Sequence, residues 1–151
     1  MLTSGNEAQI TYRINQIRTA SKEQLLLITY DIGIGVAKTA KQAIADGNNE
    51  LANRELQRAQ AVLRELMSAL DVNAGDWARA LMSLYEFMFE QLVKANVSKD
   101  PNLIDSVRSM LEELRAVWQE AIEKIRAEEP VGDKAAYSGG TRPQGGVNFA
   151  G

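Results

Sequence analysis

Apolar residues recur at every third or fourth position in four stretches of the chain, and this spacing predicts four amphipathic α-helices. Ser21 begins the first, because its hydroxyl can cap the amide of Gln24 while the Gln24 side chain reaches back to Ser21. The predicted helices run from Ser21 to before Gly47, from Asn48 or Asn49 to about Asp71, from Gly75-Asp76 through Ala95, and from Asp100-Pro101 to before Pro130.

One apolar stripe on each predicted helix is expected to face a shared core. The stripes are Leu25, Ile28, Ile32, Val36, Ala40 and Ile44 in the first helix; Ala52, Leu56, Ala59, Leu63, Leu66 and Leu70 in the second; Trp77, Leu81, Leu84, Met88, Leu92 and Ala95 in the third; and Ile104, Val107, Leu111, Leu114, Trp118, Ala121 or Ile122, and Ile125 in the fourth.

Four helices of similar length with short connections must alternate in direction. We therefore expect an all-α protein, an antiparallel up-down-up-down four-helix bundle over residues 21–128. Residues 1–20 are predicted to form an N-terminal arm. Residues 129–151 are rich in glycine and offer little apolar surface to offset the entropy of ordering, so we expect a disordered C-terminal tail.

The first and third helices carry more apolar residues than one stripe needs. A second row lies beside each stripe, and Phe87 lies on neither row of the third helix. A wide apolar arc can be fully buried in a small core, or it can form an exposed groove that binds a partner segment. The second rows are Leu26, Tyr30 and Ile34, and Met82, Tyr85 and Phe89.

Two glycines, Gly33 and Gly35, lie inside the first predicted helix, where each costs about 1 kcal/mol relative to alanine. They do not indicate a phosphate loop, because no strand precedes them and a third glycine is missing. We expect them to allow close helix packing or to leave the helix locally loose.

Composition excludes several kinds of chemistry. The chain has no Cys and no His, which excludes disulfides, thiolate nucleophiles, imidazole bases and the usual zinc ligand sets. The acidic residues flank the apolar stripes, so a carboxylate-bridged metal bundle is also disfavoured. With a net charge of −3 and no block of like charges, we expect no nucleic-acid partner. We expect a cytoplasmic protein with no membrane insertion, no metal, no cofactor and no enzymatic activity.

Particular residues, beyond the helical pattern, resemble those of a known family. The motifs are Thr19-Ala20-Ser21 with Leu25 and Tyr30-Asp31; Lys41-Gln42-Ala43-Ile44 with Gly47; Ala59-Gln60 with Glu65-Leu66 and Leu70-Asp71; Leu84-Tyr85 with Met88, Leu92, Ala95-Asn96 and Asp100; and Leu114-Arg115 with Trp118. In this order and at these spacings, the chain resembles the FliS-type flagellar secretion chaperones. Lys22 stands where the family usually has Pro, and Ile32 stands where Gly commonly follows Tyr-Asp.

The resemblance implies a function. Chaperones of this type bind the C-terminal segment of flagellin, which is disordered when free, in a 1:1 complex. They thereby prevent premature polymerisation and deliver flagellin to the export gate of the flagellar type III secretion apparatus. An N-terminal arm is thought to cover the empty groove, and Ile10 and Tyr12 are the candidates for that plug here.

Eight residues are predicted to line the client groove. Six of them match family motifs, whereas Leu63 and Phe89 come from the stripes alone. The eight are Tyr30, Ala59, Gln60, Leu63, Tyr85, Met88, Phe89 and Leu92. Two other classes of protein compete with this interpretation: a self-associating four-helix structural or adaptor module with a different client, and a small-ligand or metal bundle enzyme.

Overall fold

The computed structural model describes residues 8–10 and 21–128, and within these ranges the chain is entirely helical apart from its connections. Helix α1 spans Lys22–Ala45, α2 spans Asn49–Ala69, α3 spans Asp76–Ser98 and α4 spans Pro101–Glu128, with a short 3-10 turn at Val72–Ala74 between α2 and α3. Residues 8–10 form a helical turn. The remainder of the predicted arm and the predicted tail lie outside the described residues.

The four helices close into a ring in which α1 packs against α2 and α4, and α3 packs against the same two helices. Connections of a few residues reverse the chain between successive helices, so that neighbours are antiparallel. The predicted all-α four-helix bundle is confirmed.

Side-chain caps fix where three of the helices begin, and at the start of α2 the amide of Leu51 donates to Asn48 Oδ1 at 3.1 Å. At the start of α1, the amide of Gln24 donates to Ser21 Oγ at 3.2 Å and the amide of Ser21 donates to Gln24 Oε1 at 3.1 Å, which is the predicted capping box. At the start of α4, the amide of Asn102 donates to Asp100 Oδ1 at 2.9 Å. These caps satisfy amides that have no partner within the helix.

The predicted core stripe is confirmed for α2, where all six residues are buried. In α4 four of the predicted positions are buried and the others are half-buried. In α3 the predicted Met88, Leu92 and Ala95 are buried, but Trp77 is 44% exposed, and Tyr85 from the second row takes a core position. The buried residues of α4 are Ile104, Val107, Leu111 and Ile122.

The predicted stripe of α1 is confirmed at Val36 and Ala40, which are buried, and is wrong at its N-terminal end, because the helix is rotated there towards its second row. Leu25 and Ile32 are 37% and 47% exposed, whereas Leu26 and Tyr30 are buried. The buried face of α1 is composed mainly of small residues, which let the helix approach its neighbours closely. That face consists of Leu26, Tyr30, Gly33, Val36, Ala37, Ala40 and Ala43.

Gly33 is a point of close approach between α1 and its neighbours α2 and α4. A Cβ atom at this position would lie 3.0 Å from Val62 Cγ1 on α2 and 3.3 Å from Leu111 Cδ1 on α4. Gly35 is exposed, and a Cβ atom there would meet nothing within 4 Å. Close helix packing is therefore the role of Gly33, and Gly35 has no such contact.

Opposite effects are expected from filling these two positions. Gly35→Ala should raise the free energy of unfolding by about 0.5–1 kcal/mol, because alanine has the higher helix propensity and open space is available. Gly33→Val should lower it by about 1–3 kcal/mol, because the added methyl groups overlap Val62 and Leu111. Urea unfolding followed by circular dichroism measures both, and a gain in stability for Gly33→Val would contradict the packing described here.

Candidate functional site

Three aromatic side chains from three helices meet inside the bundle. The hydroxyls of Tyr30 on α1 and Tyr85 on α3 are 2.6 Å apart, and Trp118 Nε1–H on α4 donates to the Tyr30 hydroxyl at 3.1 Å. Both tyrosines are at most 2% exposed. Because a buried hydroxyl requires a partner, this cluster favours one register of the three helices over sliding alternatives.

Ion pairs at the bundle surface also join α1 to α4. Arg115 Nε and a terminal guanidinium nitrogen donate to the two carboxylate oxygens of Asp31, at 2.5 and 3.2 Å. Lys41 Nζ lies 3.1 Å from Asp105, and the bonds from Arg108 and Lys41 hold the pKa of that carboxyl below its ordinary value. Such exposed pairs set helix register more than they stabilise.

The family motifs quoted above therefore converge in space. The buried aromatic cluster and the ion pair beside it come from residues of these motifs: Tyr30-Asp31, Leu84-Tyr85, Leu114-Arg115 and Trp118. These positions hold the bundle together, and their spacing in the sequence reflects contacts between α1, α3 and α4.

Burial of the two tyrosines raises the pKa of each above the ordinary value of 10, since the interior disfavours the phenolate. The folded chain therefore retains protons that the unfolded chain loses above pH 10. The stability contributed by the neutral pair is complete below pH 10 and is lost as the pH rises further.

A steep alkaline loss of stability is the expected consequence. Above pH 10, each buried tyrosine should lower the free energy of unfolding as the pH rises, with a slope that approaches about 1.4 kcal/mol per pH unit while the buried phenol stays protonated. Urea unfolding at a series of pH values measures this slope. Tyr85→Phe should show a slope shallower by that amount, and an unchanged slope in that variant would show that other groups cause the loss.

Most of the residues predicted to line the client groove lie in the core. Six are at most 2% exposed, and a partner could touch them only if helices separated: Tyr30, Ala59, Leu63, Tyr85, Met88 and Leu92. Gln60 and Phe89 are half-buried, and the Arg64 guanidinium lies 5.5 Å from the centre of the Phe89 ring. The contribution of all eight to client binding stays a prediction.

The predicted N-terminal plug is described only in part. Ile10 lies in the helical turn of residues 8–10 and is 54% exposed, and Tyr12 lies outside the described residues. Whether these two residues cover a groove stays a prediction.

A surface that the sequence did not single out lies where α3 and α4 meet. Phe87 and Trp77 on α3 are 49% and 44% exposed, and Val117 on α4 is 62% exposed. The Trp77 ring stands edge-on to Trp118, with centroids 6.3 Å apart and planes at 77°. We call this surface the α3/α4 face: Trp77, Leu84, Phe87, Leu114, Val117 and Trp118.

The direction of Val117 follows from helical geometry. It lies two positions after Arg115, which is paired with α1, and residues two apart project to different sides of a helix. Val117 therefore lies on the side of α4 away from α1. The one hint in the sequence was Phe87, an aromatic residue that lay off both apolar rows of its helix.

A second apolar opening lies between the start of α1 and the end of α2. This cleft has a volume of about 220 Å³. Its walls include the exposed Leu25 and the buried Leu26 and Leu66, and its rim carries Lys22 and Glu65. It lies on the opposite side of the ring from the α3/α4 face, because α1 and α2 are the other neighbouring pair.

Within the described ranges there is no group of three or more acidic side chains placed to hold a metal ion. Nor does any helix in the described part of the chain have the length and apolarity to cross a membrane. What the described residues do present is a helical bundle with exposed apolar side chains on α1, α3 and α4, the aromatic ones being Trp77 and Phe87 of α3. Exposed apolar side chains of this kind are typical of helical proteins that bind other molecules.

Comparison with known proteins identifies the family. Residues 4–125 match the family model described as "Flagellar protein FliS", so the chain belongs to the FliS family. It is 29% identical over 115 residues to the flagellar secretion chaperone FliS of Bacillus subtilis, a match that covers 76% of this chain and 86% of that relative. It is 28% identical over 107 residues to FliS of Vibrio cholerae, with 70% and 79% covered. The corresponding protein of Escherichia coli is 23% identical over 108 residues.

Proposed function

We propose that this chain is a non-enzymatic export chaperone for flagellin and that it acts in the cytoplasm. It binds the C-terminal segment of flagellin in a 1:1 complex, prevents that segment from polymerising and presents the complex to the export gate of the flagellar secretion apparatus. Membership of the FliS family and the names of the relatives support the chaperone class. The client and the export gate come from the resemblance of the motifs.

The observation that carries the proposal is the exposure of Trp77, Phe87 and Val117 on the folded bundle. A disordered segment that folds on binding requires preformed apolar surface, because burial of that surface offsets the entropy lost on ordering. We assign the first contact of the client to the α3/α4 face. The six buried residues of the predicted groove pack inside the bundle, and Phe89 lies on the α2 side of α3, against Arg64.

A matched pair of phenylalanines tests this assignment. Phe87→Ala should weaken binding of a fluorescent flagellin C-terminal peptide by about tenfold, a change of 1.4 kcal/mol, with little change in the free energy of unfolding, because Phe87 is exposed. Phe89→Ala should lower the free energy of unfolding by about 1–3 kcal/mol, because Phe89 is packed against the core and Arg64, and should change affinity less.

Fluorescence anisotropy gives the affinities and urea unfolding gives the stabilities. Equal affinity of Phe87→Ala and the unsubstituted chain would remove the α3/α4 face as the client site. Self-association through the same face is the competing function. A dimer that dissociates on Phe87→Ala, together with no peptide binding, would favour that alternative.

A further inference from the structure

The end of α4 lies at one end of the α3/α4 face. Helix α4 finishes at Glu128 and α3 begins at Asp76, and because the two helices are antiparallel these points lie at the same end of the bundle. The contact between Trp77, at the start of α3, and Trp118, ten residues before the end of α4, places the face about 15 Å from that end at 1.5 Å per residue. Residues 129–151 therefore follow a helix end that lies about 15 Å beyond Trp77.

The following segment is long enough to cover the face. Helix α3 has 23 residues and is roughly 35 Å long at 1.5 Å per residue. Residues 129–151 can span roughly 75 Å when extended at 3.3 Å per residue. The segment can therefore turn back at Pro130 and Gly132 and still reach every position of the face.

The composition of this segment matches the surface it can reach. Residues 143–151 carry no charge and contain Val147 and Phe149, and the glycines before them let the backbone lie close to a helix. None of the six residues of the α3/α4 face is charged. Two uncharged apolar surfaces held on one chain meet at a high effective concentration.

We infer that residues 143–151 bind the α3/α4 face of their own chain when no client is present. This inference rests on the proposed function only in taking that face to be the client site. The C-terminal segment and the client then compete, and the apparent affinity for the client is reduced by the fraction of chains in which the face is covered. The abundance of glycine keeps this contact weak, so that a client can displace it.

The predicted N-terminal arm is the less suitable occupant of this face. The arm joins the bundle at Ser21, beside the cleft lined by Lys22, Leu25 and Ala69. That cleft lies across the ring from the α3/α4 face. The C-terminal segment follows α4, which is one of the two helices that form the face.

A spin label tests the contact without any client. The chain has no Cys, so Asn148→Cys in the full-length protein gives a single attachment point for a nitroxide. The label should broaden the backbone amide signals of Trp77, Leu84 and Val117 in the NMR spectrum, and ascorbate reduction should restore them. The signals of Leu25 and Ala69 should remain sharp. Sharp signals along the α3/α4 face, or broadening confined to the α1/α2 cleft, would overturn the inference.

A mixed sample separates an intramolecular contact from pairing of two copies. Chains labelled with ¹⁵N but carrying no nitroxide are mixed with spin-labelled chains that carry no ¹⁵N. The inference predicts sharp signals in this mixture at the concentration used before. Broadening of the α3/α4 face in the mixture would show that a second copy of the chain occupies the face, which would overturn the intramolecular inference.

Competition is measured with a full-length double variant, Val147→Ser with Phe149→Ser. The variant should bind the flagellin C-terminal peptide about 2–10 times more tightly than the unsubstituted chain. The control is Ser138→Ala with Thr141→Ala, in the same segment but outside residues 143–151, which should leave affinity unchanged. Unchanged affinity in the double variant would overturn the competition. Failure of every chain to bind the peptide would instead overturn the proposed function, and the spin-label result would still decide the intramolecular contact.

Discussion

Replacing Leu63 by alanine is expected to lower the free energy of unfolding by about 2–5 kcal/mol, the range measured for large-to-small substitutions in packed cores. Leu63 is fully buried in α2 and belongs to the central apolar cluster. Small domains are stable by only about 5–15 kcal/mol, so this loss is a large fraction of the total. Urea unfolding of the purified variant measures it.

Leu25→Ala is the matched control, because it makes the same chemical change at a helical position that is 37% exposed. Its cost should be below about 1.5 kcal/mol, since Leu25 loses less buried surface on truncation. The sequence had placed both leucines in core stripes. If the two variants lost equal stability, the rotation of α1 seen in the structure would be contradicted.

Removing either tyrosine hydroxyl should destabilise the bundle. The two hydroxyls are 2.6 Å apart, and Trp118 acts on both of them, with its Nε1–H donating to Tyr30 at 3.1 Å. We expect Tyr30→Phe and Tyr85→Phe each to cost about 1–3 kcal/mol, because buried polar groups that lose a partner retain their desolvation cost.

The double variant of both tyrosines shows whether the cluster acts as a unit. The double variant should lose less stability than the sum of the losses in the two single variants. Each single variant leaves one buried hydroxyl without its partner, whereas the double variant leaves neither. Additive costs would show that the two hydroxyls contribute independently. Urea unfolding at pH 7 keeps both tyrosines neutral throughout these measurements.

The bundle and most of its helix boundaries follow from the sequence, because caps and apolar periodicity are local properties. Ser21 and Asp100 cap their helices as predicted. The stripe of α2 is confirmed because that helix has one apolar row and a strongly polar remainder, so only one orientation buries it well.

The rotation of α1 could not be predicted because its two apolar rows compete. Leu25 and Ile32 of the predicted stripe are exposed. The buried face instead contains Leu26 and Tyr30 of the second row, together with small residues such as Gly33. Small residues bury little area themselves but allow the helices to approach closely. That advantage depends on Val62 and Leu111, which belong to other helices and are distant in the sequence.

The same limit applies to the candidate site. Periodicity identifies apolar residues, but neighbouring helices decide whether each is core or surface. Tyr30 and Tyr85 were predicted to face a client, and they face each other at 2.6 Å. Trp77 was predicted to lie in the core, and it is 44% exposed beside Trp118. Several motif residues of the family therefore form the core of the bundle, whereas the exposed Trp77, Phe87 and Val117 lie outside the motifs.

Calorimetric titration of this chain with the C-terminal segment of the flagellin encoded in the same genome shows whether flagellin is the client. We expect tight 1:1 binding with a large negative heat-capacity change, because a disordered segment folds onto apolar surface. Absence of binding at micromolar concentrations, with circular dichroism showing a folded bundle, would contradict the proposed client.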